Sequence, residues 1–272
     1  MTEVMLRYKR ARKKQKYNLP LLMKMSENVE GIVSHDMKLF YMNVESDSDT
    51  LVIYLHGGGY VSEMLVFHWL MLDKITSRSK SAFIIPEYPL APYYDFNDCY
   101  EKMTEFYKKV LEYYKGKKII LMGDSAGGGL CAGLSMYFAK LGLAQPDKLI
   151  LLSPWIDLVM DNPEIDNYKK DDPMLKYNEL KVNVKYWANG ADLKDYRLSP
   201  TYGDVSCLKD VTIFVGTHEF FYPDIMGFAR KLDANNVKNK LYVGEGLNHV
   251  FPVFPTPEAE EAIKMITEII DG

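Results

Sequence analysis

Four short runs of this chain are apolar from end to end: LVIYL (51–55), AFII (82–85), IILM (119–122) and LILL (149–152). A fifth, VTIFV (211–215), is broken only by Thr212. Each is too short for a helix, and none alternates as a strand with one wet face does. Uninterrupted apolar strands are buried on both sides, the condition of a parallel sheet covered by helices. The intervals fit that reading. VFHWLMLDKITSRS, LCAGLSMYFAKLG, YPDIMGFARKLDANN and PEAEEAIKMITEII are helical in pattern, and NDCYEKMTEFYKKVLEYYKG adds a terminal glycine as a C-cap signal. GIVSHDM and KLFYMNVES read as two short strands ahead of them, and NKLYVGEG as the last strand. The expected fold class is α/β.

On such a sheet, ligands bind beyond the carboxyl ends of the strands. Four chemically unusual segments fall there: HGGGY (56–60), GDSAGG (123–128), THEFFYPD (217–224) and LNHVF (247–251). The sheet therefore gathers them along one edge. Between Trp155 and Leu208 no comparable strand occurs. That interval is polar and tyrosine-rich, with DDPML and a helical NELKVNVKYWANG, and it reads as an insertion over the active edge. We expect a single domain over 1–272, with cap elements at 1–28 and 156–205.

GDSAG fits G-x-S-x-G, a sharp strand-to-helix turn that lifts Ser125 above the sheet edge. Gly123 and Gly127 give the backbone room to pass close by, and Gly128, Gly129 and Gly133 suit tight packing of the following helix. Serine needs a base to take its proton. His249, directly after the last strand, is placed for that role. The imidazole in turn needs an acid, which in the chain order serine, acid, histidine follows VTIFVG. Glu219 is preferred because it comes straight after the strand end, and Asp224 is the alternative acid, equally able to begin the next helix. The glycines of HGGGY expose backbone amides, so Gly58, Gly59 and Ala126 are the candidate oxyanion hole. Asp124 is given a structural role in the turn. His35, His68 and His218 are read as non-catalytic. Tyr60, Trp155, Tyr186, Trp187 and Phe251 could line a pocket, but aromatics at such places are more often packing.

HGGGY, YPLAP, GDSAGGGL, SPWIDL and LSPTYGD, in this order, resemble the hormone-sensitive-lipase-like branch of α/β-hydrolase fold esterases, from about Leu51 to the C-terminus. The resemblance implies an α/β-hydrolase fold with a helical cap, and a carboxylesterase that needs no cofactor. In that branch an acidic motif follows the strand, and EFFYPD puts Glu219 on its acid and Asp224 on its trailing acidic position. Pro89 stands in YPLAP where many members carry arginine. The segment before HGGGY is shorter than usual and strongly basic.

The implied reaction is hydrolysis of short-chain acyl esters through Ser125, His249 and Glu219. The alternatives are a lactonase, thioesterase or peptidase on the same triad, or a non-catalytic small-molecule receptor. A net charge of −4 makes no case for nucleic acid. The basic run RYKRARKKQK (7–16) reads as a solvated face. No stretch approaches the roughly 20 apolar residues of a membrane span. Cys99, Cys131 and Cys207 are too few and too scattered for a disulfide framework, and neither CxxC nor HExxH occurs. The expectation is a cytoplasmic protein without metal or cofactor, acting on a small-molecule ester, with a homo-oligomer left open.

Overall fold

The structure is a computed structural model that describes residues 29–34, 37–44, 47–170 and 172–272. The expected cap segment 1–28, the basic run 7–16 and His35 lie outside the described residues. Strands β1 (Val29–Ser34), β2 (Met37–Met42), β3 (Thr50–Leu55), β4 (Ala82–Pro86), β5 (Lys118–Asp124), β6 (Lys148–Leu152), β7 (Asp210–His218) and β8 (Lys238–Asn248) form one sheet. Their order is β1-β2-β4-β3-β5-β6-β7-β8. Only β1 and β2 run antiparallel to their neighbours, and β4 through β8 pair in parallel.

The apolar runs are buried on both faces, and alternate residues feed two separate cores. Leu51, Ile53, Leu55, Leu121, Leu151 and Ile213 point to one side. There they meet helices α2 (Phe96–Tyr113), α3 (Ser125–Lys140) and α6 (Tyr222–Ala234). Val52, Tyr54, Ile120, Met122, Ile150 and Phe214 point to the other. Their partners are α1 (Val66–Thr76) and α7 (Pro257–Asp271), through Leu72, Ile75, Ile263 and Ile266. Each such side chain, fully buried, contributes about 1.5–3 kcal/mol. Two helical layers thus replace the wet face that would have imposed an alternating pattern.

The helix starts follow local chemistry. Asp95 caps α2 by accepting from the N–H groups of Asn97 and Asp98, while Asp98 accepts from Asp95 N–H in return. Thr256 caps α7 ahead of Pro257. Between β6 and β7, among the described residues, the chain forms a short helix α4 (Ile165–Tyr168), a longer helix α5 (Tyr177–Ala188) and two 3-10 turns, with no strand.

The register decides what meets at the active edge. Leu55 lies opposite Gly123 and Asp124 opposite Leu152, so the β3 and β5 ends stand level. The β7 and β8 strands run on beyond that line until His218 pairs with Asn248, past an irregularity between Gly216 and His218. The next residue of each is Glu219 and His249.

Candidate active site

Ser125 sits at the first turn of α3 with φ of 50°, a left-handed backbone that non-glycine residues seldom adopt. Such strain persists only where the surroundings over-determine it. Here they do. A Cβ on Gly123 would stand 2.6 Å from Gly127 O and 2.8 Å from Leu55 O, and one on Gly127 would overlap the carbonyls of Leu55 and His56. The first turn of α3 is therefore pressed directly onto the end of β3. Trp155 N–H donates to Ser125 O at 2.8 Å and holds the turn from the β6 side.

His249 Nε2 lies 2.9 Å from Ser125 Oγ, and its Nδ1 lies 3.3 Å from Glu219 Oε2. All three residues are buried, Glu219 completely. Glu219 Oε1 has no hydrogen-bond partner among the described residues. The second contact is long for an N–H···O bond. The loop carrying His249 is anchored next door. Val250 has φ of 50° and donates its N–H to Ser153 Oγ at 2.9 Å, and Ser153, itself at φ 45°, donates its N–H to Phe214 O at 2.7 Å.

Asp224, the other candidate acid, is not brought to His249. It is buried in α6, where its Oδ1 accepts from Asn162 Nδ2 at 2.7 Å. Burial raises its pKa to about 6, with Asp157, Asp161 and Glu164 adding to the rise against the Asn162 bond.

The HGGGY loop carries three successive positive φ angles: Gly58 at 124°, Gly59 at 62° and Tyr60 at 64°. Its first glycine is held through both of its backbone groups, one in each of two successive peptide units. Gly57 N–H donates to Asp124 Oδ1 at 2.8 Å, and Gly57 O accepts from His56 Nδ1 at 2.7 Å. Carbonyl and N–H of one trans peptide point in opposite directions, so the second bond aims the Gly58 N–H away from the His56 ring. Burial lowers the His56 pKa to about 4, despite the bond to Gly57 O. The ring is therefore neutral near pH 7, with its proton on Nδ1. Among the described residues the Gly58 and Gly59 N–H groups donate to no protein acceptor.

Behind the turn lies an arrangement that local sequence did not disclose. Asp124 is 1% exposed and accepts from Tyr54 Oη at 2.5 Å, from Gly57 N–H, and from His68 Nε2 at 3.2 Å. Leu65 N–H points into His68 Nδ1 at 2.9 Å, so the ring's proton is on Nε2, toward Asp124. Burial alone would raise the Asp124 carboxyl. The His68 imidazole and the bonds from His68, Tyr54 and Gly57 outweigh it and hold the pKa below the ordinary value. His68 and Asp124 are 56 residues apart, and only the period of α1, which turns His68 inward, could have hinted at their meeting.

The pocket aromatics divide. Trp187, Tyr60, Trp155, Phe221 and His249 form one unbroken series of ring contacts, 4.4, 5.8, 5.3 and 5.2 Å between successive centroids. It runs from α5 to the imidazole. Tyr186 is exposed, and Phe251 packs in the core on the other face of the sheet. His218 is exposed at the end of β7. Among the described residues no group of three or more histidines, cysteines or acids is arranged to hold a metal ion. No helix among them is long and apolar enough to cross a membrane.

A profile of the α/β-hydrolase fold matches residues 52–253. The chain is 28% identical over 231 residues to an esterase of Acinetobacter venetianus, covering 84% of this chain and 76% of that one. It superposes with a TM-score of 0.93 on the crystal structure of a Staphylococcus aureus protein provisionally described as an esterase, at 29% identity over 99% of this chain and 91% of the other. A bacterial esterase of the hormone-sensitive lipase family matches in fold, with a TM-score of 0.85 at 24% identity over 98% of this chain and 96% of that one.

Proposed function

The chain belongs to the α/β-hydrolase fold family, and from that premise we propose that it is a carboxylesterase of the hormone-sensitive-lipase-like branch, hydrolysing short-chain acyl esters. The carrying observation is the 2.9 Å contact between Ser125 Oγ and His249 Nε2, with Glu219 on the opposite nitrogen. Esterase relatives and the motif order support the branch.

Ser125 Oγ attacks the ester carbonyl carbon as its proton passes to His249 Nε2. The N–H groups of Gly58, Gly59 and Ala126 take the oxyanion, Ala126 from the first turn of α3, where the helix dipole adds its positive end. His249 then gives the proton to the leaving alcohol oxygen as the C–O bond breaks, leaving Ser125 acylated. Water, deprotonated by His249, adds to the acyl carbon, and Ser125 Oγ leaves with that proton as the free acid departs. Glu219 holds His249 in the tautomer with Nδ1–H and stabilises the imidazolium.

Segment 156–205 is proposed as the cap. Trp187 of α5 stacks flat on Tyr60, and Asn183 occupies the space beside Gly59 that a Cβ there would need. A cap standing this close to the oxyanion loop favours short acyl groups.

The test is hydrolysis of p-nitrophenyl esters graded from acetyl to octanoyl, with and without Ser125→Ala. Turnover that falls with acyl length and vanishes in the variant is the expected result. Absence of turnover by folded protein, with a fluorophosphonate failing to label Ser125, would favour the receptor. Preference for lactone, thioester or peptide substrates in a matched panel would favour those reactions on the same triad.

A further inference from the structure

We infer that Asp172, in the turn that leads into α5, is a positioning residue for Glu219, tying the cap to the loop that carries the acid. The inference rests on the esterase reading above.

The carboxylate is buried and its two oxygens have separate duties. Oδ1 accepts from Met174 N–H at 2.7 Å and Leu175 N–H at 2.8 Å, which closes the local turn. Asparagine or serine could do as much. Oδ2 reaches 48 residues along the chain and accepts from Phe220 N–H at 2.8 Å. Phe220 N–H belongs to the same peptide unit as Glu219 C=O, which itself accepts from Tyr222 N–H at 3.2 Å. Both ends of the unit following Glu219 are thus fixed, one by its own loop and one by the cap.

That fixing matters because the Glu219 side chain has little else to aim it. His249 is its one hydrogen-bond partner among the described residues, and Oε1 is buried without any. Orientation must then come through the backbone. The cap turn is seated in two further places: Phe220 packs against Tyr177 of α5 at 5.9 Å, and Met174 Sδ lies 2.9 Å from Nδ2 of Asn248, the neighbour of His249. One short turn therefore touches both triad loops.

Asp172→Ala and Asp172→Asn test this in the full chain, with p-nitrophenyl acetate and with titration of competent sites by a fluorophosphonate. We expect kcat per titrated site to fall about ten- to a hundredfold in the alanine variant, as for a misplaced catalytic group, with KM within about twofold. The acidic limb of kcat/KM should move to lower pH, because an imidazole with weaker carboxylate support loses its proton more readily. Asparagine should fall between, since it keeps the local acceptor but turns an amide toward Phe220 N–H. Unchanged kcat per site with an unmoved limb overturns the inference, as does a loss that lies wholly in the number of competent sites. If the alanine variant does not fold, the asparagine variant carries the same outcomes. A folded wild type that hydrolyses no ester and takes no label at Ser125 overturns the esterase reading, and this role with it. An active wild type beside an indifferent Asp172→Ala overturns this role alone.

Discussion

Two buried carboxylate–imidazole pairs flank Ser125, and they differ in what the far nitrogen of the ring meets. In Glu219–His249, at 3.3 Å, that nitrogen faces the Ser125 hydroxyl. In Asp124–His68, at 3.2 Å, it faces the backbone N–H of Leu65. A hydroxyl can give up its proton as it attacks, whereas an amide N–H only donates a hydrogen bond. The carboxylates differ in the same sense. Among the described residues the Glu219 side chain meets one partner, His249, while Asp124 accepts from three, Tyr54, Gly57 and His68. On the proposed function the first pair moves a proton, while the second holds a loop. Chemical type alone does not separate them; the partners do.

The comparison breaks most decisively at the first pair. Ser125→Ala or His249→Ala should lower kcat by about 10⁴–10⁶-fold with little change in Tm, as for members of a unit that act together. Glu219→Gln should cost about 10²–10⁴-fold, because the amide no longer stabilises the imidazolium. If Glu219→Gln were nearly silent and Asp224→Asn severe under the same assay, the acid would have been assigned to the wrong residue.

At the second pair the expected loss is of stability. Asp124→Asn turns a donor toward one of three buried donors, so unfolding should become easier by about 3 kcal/mol, read by denaturant titration. kcat should fall less than in Glu219→Gln, with KM nearly constant, as the Gly57 anchor loosens. The pKa of Asp124 is depressed in the folded state, so its contribution is present above the unfolded carboxyl value near 3.9 and is lost as pH falls through the folded value. Wild type should therefore lose Tm below about pH 4 more steeply than Asp124→Asn.

The smallest effect is expected at Asp224, whose folded pKa is raised to about 6 from 3.8. A raised acid binds more protons in the folded state, so stability declines as pH rises through that window and stays lower above it. Asp224→Asn should raise Tm at pH 8, leave it unchanged at pH 3, and keep kcat within about twofold.

Much of this was readable along the chain. The apolar runs named the strands, and glycine with histidine or serine at their ends marked the reactive edge. Glu219 could be preferred over Asp224 because a residue directly after a strand has little freedom. The role of His68 could not be read in the same way, since nothing local in VFHWL differs from an ordinary helix face. Asp172 sat in a DDPML turn whose local bonds explain only one of its oxygens. Nothing local marked Ser153, which carries a left-handed backbone and holds Val250.

Local sequence by itself determined the element types, the parallel α/β order and the residues offered to the active edge, because burial on both faces and close backbone approach leave few residue types admissible. Tertiary structure alone decided which carboxylate meets which imidazole. Those choices depend on register: four further residues of β7 beyond its last pairing with β6 bring Glu219 level with His249, while the α1 crossing brings His68 over Asp124. Hydrogen bonds are sensitive to tenths of an ångström, and such distances are set by the packing of segments far apart in the chain.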